Sequence, residues 1–395
     1  MACAGSEDGR HEGDGAGRTV AVVGISTSPT CGVRAHAELL TGGLQRAGIG
    51  CSWHWLNRHE PSLRGSRAEI GAWTGELAGE LGGPPAEAIL LHYSVFSYSF
   101  RGVPIFVHPV LSALRSRGIP IVSVLHEFAY PWLYGGWRGL LWATTQRAAA
   151  IEVMRASAAA IVTAPERQQW LRTRPWLARR PVALAPVYSN LPAPTGSRAP
   201  VGARPRVGLF GYSYQGAAVA LVLDALAALR AQGSDAELVL LGAPGASSAA
   251  GATWTGAAAE RGLERAVTFT GALPAQELSD ALARCEVLLF ADTAGASSRK
   301  GTLAGSLASG RPVVALDGPR TWRKLREEGA ARIVAPTLQA LAGAVGSLLA
   351  DEAERERLGQ RGRRFAEQRM GLEVTVRAVK ELLEQVRAPG APAAA

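Results

Sequence analysis

Lysine is nearly missing from this sequence: of its 42 basic Lys and Arg residues, only Lys300, Lys324 and Lys380 are lysines. That arginine bias, with abundant Ala, Gly and Pro, is the mark of GC-rich coding. The formal charge of +9 is therefore not read as affinity for nucleic acid, and no dense basic run argues otherwise. A basic surface still suits an anionic substrate or a membrane surface. Cys3, Cys31, Cys51 and Cys285 are scattered, with neither metal spacing nor a disulfide framework, which fits a reducing cytoplasm. No apolar run approaches the length of a membrane span. The Gly-x-Gly-x-x-Gly fingerprint of dinucleotide binding is absent after the first strand. Residues 295–302 hold the letters of a phosphate-binding ATPase loop in the wrong order, with Lys300 ahead of Gly301, so that reading is rejected. Residues 1–17 are polar and Gly-rich and lack an apolar signal core; they and residues 388–395 are expected to be disordered tails.

Hydrophobic residues make up 47% of the 395, enough for two domains. Apolar runs predict strands at Thr19–Ile25, Cys51–Leu56, Ala88–His92, Pro120–Leu125, Ala160–Thr163 and Val182–Pro186. Helical spacing lies between them, as in Val33, Ala37, Leu40, Leu44 and Ala47. Residues 191–205 are rich in Pro and Gly and are expected to link two domains. The pattern restarts with Arg206–Phe210, Leu238–Leu241, Val267–Thr270, Val287–Phe290 and Pro312–Leu316. Pro274–Cys285 is predicted to be a helix, and so is Glu373–Val386. The fold class is thus α/β: two doubly wound, Rossmann-like domains, at 18–190 and 206–372, facing across a cleft, with a last helix at 373–387.

Ligands of such sheets sit outside the carboxyl ends of the strands, which directs attention to the loops. Gly32 opens a helix after the first strand. His92 and His126 stand at two strand ends, the latter followed by Glu127. A metal held by His92, His108, His126 and Glu127 is not expected, since no pair has helical ligand spacing. Gly211 with Tyr212, Gly242, and Gly271 with Leu273 follow strands of the second half. Each fits an ordinary tight turn; jointly they favour a nucleotide pocket. The most informative stretch is Ser297–Ala315. Arg299 and Lys300, beside Ser298, precede Gly301 and Thr302 at the start of a small-residue helix, and free N–H groups there with two cations suit a phosphate. Glu127, Asp292 and Asp317 are read as hydrogen-bonding groups. Trp132, Trp137 and Trp142, with Tyr130 and Tyr134, are expected to pack on the core, although sugar stacking or a membrane-facing surface is also open.

These stretches resemble a GT-B glycosyltransferase of the retaining, group 1, family 4 type. The resemblance rests on residues 29–36, Val124–Glu127, Phe210–Gly211, Leu241–Gly245 and, most specifically, Gly301–Ala315. It implies a nucleoside-diphosphate sugar held by the second domain, an acceptor hydroxyl brought in by the first, and no cofactor or metal. It also implies a last helix that crosses back to the first domain. Under it, His126, Arg299 and Lys300 would be catalytic, and Gly211, Tyr212, Gly242, Gly271, Leu273, Ser298, Gly301 and Thr302 would hold the donor. Gly32, His92 and Glu127 would face the acceptor. The sequence departs from the family pattern where paired glutamates stand: Ser297 and Gly305 occupy those places. Tyr212 and Gln215 lie near the positions of two further missing cations. The implied activity is hexosyl transfer in the cytoplasm, in natural-product or cell-surface glycan biosynthesis, with peripheral membrane contact open. A non-catalytic homologue acting as a binding or scaffolding partner, and a nucleotide-sugar epimerase, are the rival readings.

Overall fold

The structure, a computed structural model, describes residues 18–28, 31–81, 86–132, 136–195, 204–214 and 216–387. The two expected tails, most of the expected linker, Gln215 and Tyr134 lie outside the described residues.

In the first domain the strands are β1 (Thr19–Ser26), β2 (Gly50–Asn57), β3 (Ala88–Ser94), β4 (Ile121–Glu127), β5 (Ala159–Val162) and β6 (Val182–Leu184). They alternate with α1 (Gly32–Arg46), α2 (Leu63–Glu80), α3 (Val107–Arg115), α4 (Gly136–Ala156), α5 (Pro165–Arg172) and the single turn α6 (Pro175–Ala178). The second domain repeats the scheme with β7 (Arg206–Phe210), β8 (Glu237–Leu241), β9 (Val267–Gly271), β10 (Val287–Phe290), β11 (Val313–Leu316) and β12 (Arg332–Val334). Its helices are α7 (Gly216–Ala231), α8 (Ala249–Ala259), α9 (Ala275–Ala283), α10 (Gly301–Ala308), α11 (Arg323–Glu327), α12 (Leu338–Ala350) and α13 (Glu352–Arg369), and α14 (Leu372–Arg387) ends the fold.

The two six-stranded sheets have the orders β2-β1-β3-β4-β5-β6 and β12-β11-β10-β7-β8-β9. All pairings between neighbouring strands are parallel. β3 and β5 are buried along their whole lengths, which is why they read as continuous apolar runs rather than alternations. β12 escapes such a reading because it is three half-buried residues at a sheet edge. Each order reverses direction once, between β1 and β3 and between β7 and β10. At such a point two neighbouring loops part and leave a crevice.

α14 packs on the first sheet: Val376, Val379, Leu382 and Leu383 share a buried cluster with Val20, Leu40, Leu44 and Val122. Gly43 makes this approach possible, since a Cβ there would stand 2.8 Å from a Val376 methyl. The start of the expected linker already belongs to the second domain. Ser279 donates to the Pro192 carbonyl at 2.6 Å, and Asp280 accepts from the Thr195 N–H at 2.7 Å. The chain therefore crosses between the sheets earlier, between Leu184 and Leu191.

Candidate functional site

Both sheets aim the loops at their reversal points into one cavity of about 300 Å³. Gly32, His36, Ser94, His126 and Glu127 line it from the first domain, and Arg299 and Gly301 from the second. Val187, Tyr188 and Asn190 of the crossing segment complete the wall. Its size falls within the range of small-molecule sites.

The second-domain side is built around the start of α10. An α-helix leaves its first N–H groups without intrahelical partners, and here Gly301 sits at the cavity with Arg299 just before it. Gly211, in a left-handed conformation at φ +70°, ends β7 so close to α10 that an added Cβ would lie 2.7 Å from the Thr302 methyl. Gly242 and Gly271, also with positive φ, face each other across a short bridge. The Gly242 N–H donates to the Thr270 hydroxyl at 2.9 Å. Leu273 packs partly buried on the core beneath them.

Several expected site residues have other partners. Lys300 is paired with Asp292 at 3.0 Å and does not line the cavity. Tyr212 is fully buried: its hydroxyl accepts the Gly245 N–H at 2.6 Å and its carbonyl accepts the Trp254 indole N–H at 2.8 Å. Its ring braces the β8 loop from inside the core. Ser298 is also buried and fastens the domains together. Its hydroxyl donates to the Thr163 carbonyl at 2.8 Å, and its carbonyl accepts the Val187 N–H at 2.9 Å. Asp317 is paired with Arg326 at 2.7 Å, and that contact holds its carboxyl below its ordinary range. Ser297 is buried, and a side chain at Gly305 would run into the Phe210 ring at 2.9 Å.

The first-domain side holds three histidines from three elements: His36 of α1, His92 of β3 and His126 of β4. A hydrogen bond of 3.0 Å joins His92 Nδ1 and His126 Nε2. Their rings stack at 5.2 Å, and the His36 ring stands edge-on to His126 at 4.7 Å. Burial pulls His36 down to about 3. It lowers His92 and His126 as well, with the neighbouring rings adding to the effect. All three rings are thus neutral at pH 7, and among the described residues His92 Nε2 and His36 Nδ1 have no hydrogen-bond partner. Each ring offers a nitrogen within 4.8 Å of the other two. This neutral imidazole set could hold a late first-row divalent ion, and His36 takes the place that the sequence pattern offered to His108. His108 instead contacts Glu152 at 2.8 Å. Glu127 accepts from the Ser94 hydroxyl at 3.0 Å.

Arg167 is a residue that the sequence pattern did not single out. Its guanidinium donates to the carbonyls of Leu125 at 3.2 Å and His126 at 2.8 Å, and to the Thr163 hydroxyl at 3.2 Å. Burial, with the charge of Arg299 nearby, lowers it to about 10. It fixes the end of β4, and hence His126, from behind. Its only sequence signal was Pro165 opening a helix just after an apolar run.

Residues 204–351 match the family model of the glycosyl transferases group 1. No curated protein matches the sequence. The fold is shared with solved structures at low identity. A sucrose-phosphate synthase from Thermosynechococcus elongatus superposes with a TM-score of 0.70 at 16% identity, over 94% of this chain and 99% of that one. Anabaena HepE, in complex with UDP and glucose, gives 0.66 at 14% identity over 92% and 99%. WaaG, a glycosyltransferase involved in lipopolysaccharide biosynthesis, gives 0.61 at 13% identity over 94% and 100%. The architecture is the GT-B fold.

Proposed function

We propose that this protein transfers a sugar from a nucleoside-diphosphate sugar to an acceptor hydroxyl, with retention at the anomeric carbon. One observation carries the reading: Arg299 and the start of α10 face His126 and Glu127 across a single cavity. The family match over 204–351 supports it, and so does a sheet whose reversal point sets Gly211 against Thr302.

As the bond to the leaving diphosphate breaks, positive charge grows on the sugar and negative charge on the departing phosphate. Arg299 and the free N–H groups of α10 are already oriented toward that negative charge. Lys300, paired with Asp292 at 3.0 Å, holds the loop that leads into α10. A fixed donor aimed at developing charge lowers the barrier by about 3 kcal/mol. No metal is needed for that charge in this reading. His126, held by Arg167 and by its hydrogen bond with His92, contacts the sugar or the acceptor. Gly305 and Ser297 carry no carboxylate to face the donor, and Glu127 is the carboxylate that lines the cavity.

The test is a mass-spectrometric screen of nucleotide sugars, with calorimetry against UDP, GDP, ADP and TDP. One nucleotide should bind, and its sugar should be turned over with chelator present. Arg299→Ala should lower kcat about a hundredfold with thermal stability unchanged. Full turnover in Arg299→Ala and Lys300→Ala would remove the cationic loop from the mechanism. No nucleotide binding at all would favour a scaffolding homologue.

A further inference from the structure

Of the aromatic residues after β4, Tyr130 and Trp142 pack edge to face at 5.3 Å, half-buried, whereas Trp132 and Trp137 are exposed rather than packed away. Trp132 is 49% exposed and Trp137 72%. In the first turns of α4, Leu140 and Leu141 are 50% and 43% exposed. Trp137, Leu140, Leu141 and Thr144 have helical spacing, so they form one stripe on the solvent side. Over the first half of α4 the inward side is made of small or polar residues, Gly139, Ala143 and Gln146, and only its second half sends Val153 and Met154 into the core. The first half is thus the reverse of a surface helix that turns its apolar stripe to the core. Phe96 and Ile105, in the loop after β3, are also exposed. That loop is tied to α4 by Gln146, which donates to the Gly102 carbonyl at 2.8 Å.

Charge concentrates in the same region. Residues 95–181 contain eleven arginines and three glutamates, a surplus of eight against nine for the whole chain. Arg138 lies over the Trp137 ring at 5.5 Å and Arg147 over Trp132 at 4.1 Å. At the far end of α4, Arg155 lies over the half-exposed Trp176 at 5.7 Å, and Arg180 donates to the Arg155 carbonyl at 2.7 Å. Arg115 and Arg155 both repel the Arg180 charge. Exposed Trp and Leu between arginines is the pattern of a helix lying in the plane of a lipid headgroup layer. A symmetric contact with a second copy would set like charges opposite one another. An anionic surface is the complement this face lacks.

We propose that α4, with the loop after β3, docks this protein on the surface of an anionic lipid bilayer. Trp137, Leu140 and Leu141 enter the headgroup layer, and the arginines meet lipid phosphates. α4 follows β4 and so begins on the carboxyl-end side of the sheet, the side on which His126 and Glu127 line the cavity. If the proposed transfer holds, the acceptor is drawn from that bilayer; the docking itself does not depend on the transfer.

The experiment is co-sedimentation of the full chain with phosphatidylcholine vesicles, with and without phosphatidylglycerol, at low and high salt. The chain should pellet with the anionic vesicles alone and lose binding as salt rises. Combining Trp137→Ser, Leu140→Ser and Leu141→Ser should weaken binding more than tenfold. Arg138→Glu or Arg155→Glu should each weaken it about fivefold or more. Nucleotide calorimetry on the same preparations reports the donor site separately, so docking and donor binding can fail independently. Absence from both vesicle types, or equal pelleting of wild type and triple variant, would overturn the proposal. So would a wild-type dimer in light scattering that the triple variant abolishes, which would give the patch to a second copy.

Discussion

His36, His92 and His126 are each neutral because burial removes the water that would solvate an imidazolium. The depressed value belongs to the folded state, and the unfolded chain takes up protons near the ordinary 6.5. Below that pH the unfolded state binds more protons, so stability falls with acid. For His36 the loss continues down to about 3. Each such histidine costs about 1.4 kcal/mol per pH unit inside its window. The melting temperature should therefore drop steeply from about pH 6.5 downward, and His92→Gln should flatten that slope. Thermal unfolding followed across pH checks this, and a curve flat through that range would show that the rings are solvated. The same burial explains what the sequence concealed. His92 and His126 were recognisable as strand ends, whereas His36 was one polar residue on a helix until α1 laid it against them.

At the scale of elements, the start of α10 was legible because its signal is local. A cation before a Gly-Thr step, small residues and a Gly stop lie within a dozen positions. What α10 packs against was not legible. Phe210 fills the space at Gly305, and Thr302 abuts Gly211, from a strand some ninety residues earlier. Gly305→Glu should therefore destabilise the protein by about 1–3 kcal/mol through overpacking. Adding Phe210→Ala should recover part of that loss by opening the space. Denaturant midpoints of the single and double variants decide it. A single variant as stable as wild type would mean that α10 can shift to admit the carboxylate.

Across the whole molecule, the two sheets are joined by few but specific ties besides α14. The Tyr188 hydroxyl donates to the His36 carbonyl at 2.5 Å, and its ring stacks on His36 at 4.3 Å. Ser298 holds Thr163 and Val187 from the other side. Ser298→Ala leaves the buried Thr163 carbonyl without that donor, a loss of about 1–3 kcal/mol. Amide exchange in residues 185–191 should then quicken while the sheet cores stay protected. Unchanged protection would show that these ties do not hold the crossing segment. The expected linker was placed too late along the chain because Pro and Gly content marks irregular backbone, whether or not that backbone is docked. Leu191–Thr195 is irregular and yet fastened to α9.

The sequence alone determined the two α/β halves, the strand ends that carry His92, Glu127 and Gly211, and the cationic approach to α10. These depend on short-range periodicity and on residues close together in the chain. Tertiary structure decided that Arg299 faces the cavity while Lys300 turns to Asp292, that Tyr212 and Ser298 serve as struts, and that Trp137 points to solvent. Those outcomes depend on which distant side chains reach a site first and fill it, and one-dimensional spacing does not encode that competition.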